Sequence, residues 1–91
     1  MSSPAIRIHS RDNVVIARTQ LLGGTAIESE GITVSGLVPP GHKVATRAIA
    51  VGEDVRRYDQ IIGHATQPIA PGQHVHTHNL EYADFARSHE P

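Results

Sequence analysis

Four times in 91 residues the chain places an apolar residue, two others, a glycine, two others and a second apolar residue, and this spacing constrains the fold more than anything else in it. The instances run from Leu21 to Ile27 around Gly24, from Val38 to Val44 around Gly41, from Ile49 to Val55 around Gly52, and from Ile69 to Val75 around Gly72. Glycine alone enters the positive-φ region freely, so each instance reads as two short strands joined by a tight turn. The intervals between the four glycines are unequal, which argues against a solenoid of stacked repeats.

Around these turns the sequence predicts strands near Ile6 to His9, Asn13 to Arg18, Ile32 to Ser35, Lys43 to Ala50, Gln60 to Ala65 and His74 to His78. Pro39, Pro40, Pro68 and Pro71 mark loops or strand edges, where a missing N–H does no harm. Seventeen Ile and Val against four Leu favour strands over helices, because β-branched side chains suit a pleated surface. The expectation is an all-β domain of barrel or clip type. It occupies residues 1–91 as a single unit with its core between about 6 and 80, and Asn79 caps a short C-terminal helix through Leu80, Ala83 and Ala86.

Composition narrows the function classes. With no cysteine, disulfides, thiolate metal sites and Cys nucleophiles are excluded, so any metal must be held by His and carboxylate. Eight Lys or Arg against nine Asp or Glu, interspersed, give no basic field for nucleic acid or an anionic membrane. No apolar run approaches the roughly 20 residues of a membrane span, and a cytoplasmic protein is the expectation.

Histidine carries the chemistry. His74, His76 and His78 stand at alternate positions, which in an extended strand would line them along one edge. Alternate residues sit roughly 6 to 7 Å apart, so two neighbours can converge on one ion while the outer two, about 13 Å apart, cannot. The spacing therefore predicts His76 with one neighbour, plus a ligand from elsewhere in the fold or from a partner. A solvated polar strand edge is the competing reading. The turn Gly41-His42-Lys43 offers a second site, with Lys43 as a carboxylate partner and His42 as ligand or base; its bland alternative is a surface turn with a solvated lysine. Asp12 and Asn13 read as a turn that bonds its own backbone. His9, His64 and His89 have no partner at a telling spacing, and no P-loop or dinucleotide fingerprint is present.

Taken in order, Asp12-Asn13-Val14-Val15, Leu22-Gly23-Gly24-Thr25, Val38 through Ala45, Tyr58 through Gly63 and Gly72 through Leu80 resemble the amino-terminal domain of the altronate and galactarate dehydratase family. The resemblance runs from about Ile6 to Phe85 and implies an SAF-type, clip-like β fold. The His-Val-His-Thr-His-Asn ending is closer to altronate dehydratase and to the small subunit of sulfolactate sulfo-lyase than to galactarate dehydratase. It implies a hydro-lyase component that removes water, or sulfite, from a hydroxy acid to leave a 2-keto acid. It further implies a divalent metal, Fe2+ by the family's usual assignment with Mn2+ or Zn2+ as alternatives, and a large dehydratase subunit as partner for a sugar-acid substrate.

On that resemblance His74, His76 and His78 are expected as metal ligands, and His42 and Lys43 as catalytic residues. Asp12, Asn13 and Asn79 are motif positions taken as substrate-binding. A second copy of the chain is a further expected partner, since a small domain with exposed strand edges gains from pairing. The alternative is a non-enzymatic SAF-type module that binds a sugar acid or a protein.

Overall fold

The structure is a computed structural model that describes residues 3–83. It contains nine short strands and a single 3-10 turn, Glu28–Glu30, among the described residues. The strands are β1 (Ala5–Ile6), β2 (Val14–Ala17), β3 (Ala26–Ile27), β4 (Ile32–Thr33), β5 (Lys43–Ala45), β6 (Asp54–Arg57), β7 (Gln60–Ala65), β8 (His74–Val75) and β9 (Leu80–Tyr82). They form an antiparallel sheet ordered β1-β2-β5-β8, a second ordered β6-β7-β9 and the small ribbon β3-β4.

The four glycine units are four copies of one turn. In each, the residue after the glycine donates its N–H to the carbonyl two residues before it: Thr25 to Leu22, His42 to Pro39, Glu53 to Ala50 and Gln73 to Ala70. The glycines have φ between 81° and 94°, as the third residue of a type II turn requires, and Pro40 and Pro71 occupy the second place, where their fixed φ fits. All eight flanking apolar residues are buried. Leu21 and Val38 exchange both backbone hydrogen bonds, and so do Ile49 and Ile69, so the first two turns are tied together and the last two likewise.

Side-chain alternation then splits the interior in two. Val14 and Ala45 face a core shared with Ile49, Ile69 and Val75, whereas Val15 and Val44, their neighbours in sequence, face a core shared with Leu21, Ile27 and Val38. The sheet of β2 and β5 is thus buried on both faces.

Two buried asparagines repeat one task on opposite sides of this arrangement. Asn13 accepts from Arg56 N and donates to Asp54 O, while its own carbonyl accepts from Thr46 N. Asn79 accepts from His76 N and donates to His74 O, and its carbonyl accepts from Thr66 N. Each amide closes the strand that follows a glycine turn onto the start of another strand. Another of the four buried polar residues, Asp12, accepts from the N–H groups of His9, Tyr58 and Asp59. It thereby holds the two-residue link between β6 and β7, in which Tyr58 and Asp59 both adopt φ 57°, a conformation usually left to Asn and Gly.

Two expectations are corrected here. Residues Leu80–Tyr82 are not helical: they form β9, paired with β7 through Ala65, His64 and Gly63. Gly63 permits this, because a Cβ at that position would collide with the backbone of Glu81. Leu80 is buried in the core, and this burial outweighs the helix signal of Asn79; Ala86 lies outside the described residues. The strand expected over His74 to His78 ends at Val75, because His76 to Asn79 turn sharply, with Asn79 N donating to His76 O.

Candidate functional site

That turn decides how the histidines meet. A straight strand would spread His74, His76 and His78 over a long edge; the bend draws them together instead. The rings of His74 and His76 lie parallel, with centroids 5.5 Å apart and planes within 8°, and His78 approaches His74 at 5.3 Å. Asn79 sets the spacing, since its amide bonds the backbone of both His74 and His76.

A fourth imidazole arrives from a distant part of the chain. His42 follows Gly41 at φ 81°, and its carbonyl accepts from Ala17 N, which carries the side chain toward β8. His42 Nδ1 lies 2.9 Å from His74 Nε2, and its ring is 4.3 Å from that of His76. One ring nitrogen from each of His42, His74 and His76 falls within 4.8 Å of the other two.

Burial pushes the His74 imidazolium down to about pKa 4, with the neighbouring His42, His78 and His76 and the ammonium of Lys43 adding repulsion. Burial lowers His76 as well, again with repulsion from His42, Lys43 and His78. Both rings are therefore neutral near pH 7 and keep a lone pair, the form that binds a metal. Three nitrogens at about 2.1 Å from one ion stand about 3 to 3.4 Å from each other, so this trio would draw somewhat closer together to hold one. The donor set fits a borderline divalent cation.

Lys43 is not the solvated lysine of a surface turn. It is only 6 % exposed, its Nζ donates to Tyr82 Oη at 3.3 Å, and it sits 5.5 Å from the centroid of that ring. Tyr82 was invisible to motif reasoning, because only the pairing of β9 with β7 brings it there. Asp12, Asn13 and Asn79 are 4 %, 2 % and 1 % exposed, with their polar atoms engaged by backbone. That is a different task from the substrate contact expected of them. Two outlying histidines have carboxylate neighbours, His64 Nε2 at 3.2 Å from Glu81 and His9 Nε2 at 3.8 Å from Asp59.

The fold is thus a β domain built from four glycine turns, with imidazoles from the second and fourth gathered together. Residues 3–83 match the family described as the altronate/galactarate dehydratase SAF domain, and the chain belongs to that family. It is 42% identical over 76 residues to the altronate dehydratase of Escherichia coli K12, covering 81% of this chain and 15% of that protein. To the altronate dehydratase of Bacillus subtilis it is 36% identical over 78 residues, 84% of this chain and 16% of the other. The alpha subunit of (2R)-sulfolactate sulfo-lyase from Chromohalobacter salexigens is 32% identical over 84 residues, 81% of this chain and 89% of that subunit. The chain thus spans about a sixth of the two dehydratases and most of the sulfo-lyase alpha subunit. No helix among the described residues is long and apolar enough to cross a membrane.

Proposed function

We propose that the chain is the SAF component of a divalent-metal-dependent hydroxy-acid lyase and works with a separate large subunit. The observation that carries this is the convergence of His42, from the second glycine turn, with His74 and His76, from the fourth. Side chains 32 residues apart in sequence meet at 2.9 Å with two of the three imidazoles held neutral by burial, a costly arrangement for a scaffold and a useful one for a metal. The relative matched over 89% of its length is itself named a subunit, which supports a partner chain here.

In such a lyase the proton beside the carboxylate is removed, the bond from the next carbon to its hydroxyl breaks, and the enol becomes a 2-keto acid with net loss of water. A bound divalent cation supplies Lewis acidity to the hydroxy-acid oxygens. His42, His74 and His76 hold it; Fe2+ is the cation we assign, with Mn2+ and Zn2+ as substitutes. Asn79 orients two of the ligands through their backbone. His78, exposed beside His74, is the imidazole left to carry a proton.

Titration with Co2+, followed by its visible spectrum, tests the site. The chain binds one equivalent, and His42→Ala, His74→Ala and His76→Ala each weaken binding at least about tenfold, while His78→Ala changes it less. Equal affinity in all four variants removes the assignment. Mixing the chain with the large subunit, altronate and ferrous ion then yields a 2-keto-3-deoxy acid; full activity of the large subunit alone refutes the catalytic role.

A further inference from the structure

Among the described residues Lys43 is a cation removed from water without a counter-ion. No carboxylate among the described residues pairs with it, and among them its ammonium donates to the hydroxyl of Tyr82. An ammonium buried with a neutral partner alone is a costly arrangement, because the hydration it loses is not replaced by opposite charge. The chain nevertheless builds it with care. Lys43 sits in β5, paired with Ile16 on one side and Val75 on the other, so its Cα is fixed by two neighbouring strands. Tyr82 is fixed opposite Gly63 in β9, and its ring packs against the first core.

We propose that Tyr82 is a positioning residue that holds the Lys43 ammonium as the seat for the carboxylate of a small 2-hydroxy acid, beside the histidine trio. This rests on the lyase reading and adds a residue to it. An ammonium has three N–H donors; Tyr82 Oη takes one and leaves two for carboxylate oxygens. The ring within 6 Å restrains the flexible lysine stem by cation–π attraction, so the charge is in place before the anion arrives. The seat lies close to the imidazoles: Lys43 pairs with Val75, the residue between His74 and His76, and the lysine charge acts on both of those rings.

The test uses the metal-free chain and glycolate, the smallest 2-hydroxy acid, with the Lys43 Cε resonance followed by NMR. The wild-type chain shows a saturable shift, and Lys43→Met abolishes glycolate binding. Tyr82→Phe keeps the ring and the fold, so its melting temperature stays close to wild type while glycolate binds about fivefold more weakly, the worth of one hydrogen bond. Tyr82→Leu, which also loses the ring, binds more weakly still, and Lys43→Arg recovers part of the affinity. A purely structural tyrosine would change the melting temperature and leave glycolate affinity within twofold of wild type; that result, or no saturable shift in the wild-type chain, overturns the proposal. Co2+ titration of the wild-type chain separates the two claims: Co2+ binding without a saturable glycolate shift defeats the seat alone, and a glycolate shift without Co2+ binding defeats the metal reading alone.

Discussion

Replacing each of the two buried asparagines by alanine separates folding from site geometry. Asn79→Ala removes the acceptor for His76 N and the donor to His74 O, at 2.9 and 2.8 Å, in a residue almost wholly shielded from water. Leaving two buried backbone groups unpaired costs about 1 to 3 kcal/mol each, and partial access of water to the new gap brings the sum to about 2 to 4 kcal/mol. Asn13→Ala removes the matching pair of bonds, to Arg56 N at 2.8 Å and Asp54 O at 2.9 Å, with the same burial and the same expected loss. In a domain of this size each kcal/mol lowers the melting temperature by about 4 to 8 °C, so both variants melt well below wild type and by similar amounts. Metal binding separates them. Only Asn79 fixes the backbone on either side of Val75, so Asn79→Ala loses about tenfold in Co2+ affinity, as is common when the support of a ligand is removed, and Asn13→Ala keeps wild-type affinity. Thermal melts and Co2+ titrations below the melting range give both numbers, and Asn79→Asp, which retains the acceptor, supplies a folded variant if alanine is not tolerated. Equal Co2+ affinity in the two alanine variants would refute the argument that the amide spaces the imidazoles.

Acid will destabilise the chain through His74. Its folded pKa of about 4 lies below the ordinary value of 6.5, so the unfolded chain takes up a proton that the folded chain refuses, and stability falls as pH drops from 6.5 toward 4. His76 acts in the same direction, and melting temperature against pH in His74→Gln will show a flatter acid limb. Tyr58→Asn relieves the bulkier of the two left-handed residues of the β6–β7 link and raises stability by about 1 kcal/mol by urea unfolding. Asp12→Ala strips the carboxylate from three backbone N–H groups and lowers it by about 2 to 4 kcal/mol, so opposite signs are expected on the two sides of one turn. Gly63→Ala drives a Cβ into the Glu81 backbone and separates β9 from β7, and hydrogen exchange at Ala83 N, which bonds Ile62 O, will read that separation.

The local chemistry of the turns was legible because it is local. A glycine at a fixed offset, with proline before it in two cases, leaves a type II turn few competitors, and the apolar residue three positions to either side must then be buried. Strand β7 was readable to the residue, as a six-residue apolar-rich run ending before a turn. Strands β3, β8 and β9 are two or three residues long, too short for a periodic pattern to declare itself, and they exist because a neighbouring backbone pairs with them. The histidine spacing was legible and its geometry was not. Alternation predicts a row only while the strand stays straight, and the bend after Val75 is made by a side-chain amide that bonds its own loop.

By itself the sequence determined which residues could do chemistry, that cysteine would not be among them, and where the chain had to turn. The tertiary structure alone decided that His42 joins His74 and His76, that His78 stands beside them, and that Lys43 meets Tyr82. The reason is physical. Turn chemistry is written within four residues, whereas the meeting of groups 32 and 39 positions apart depends on which strands share a core, and the burial of many small aliphatic side chains settles that together.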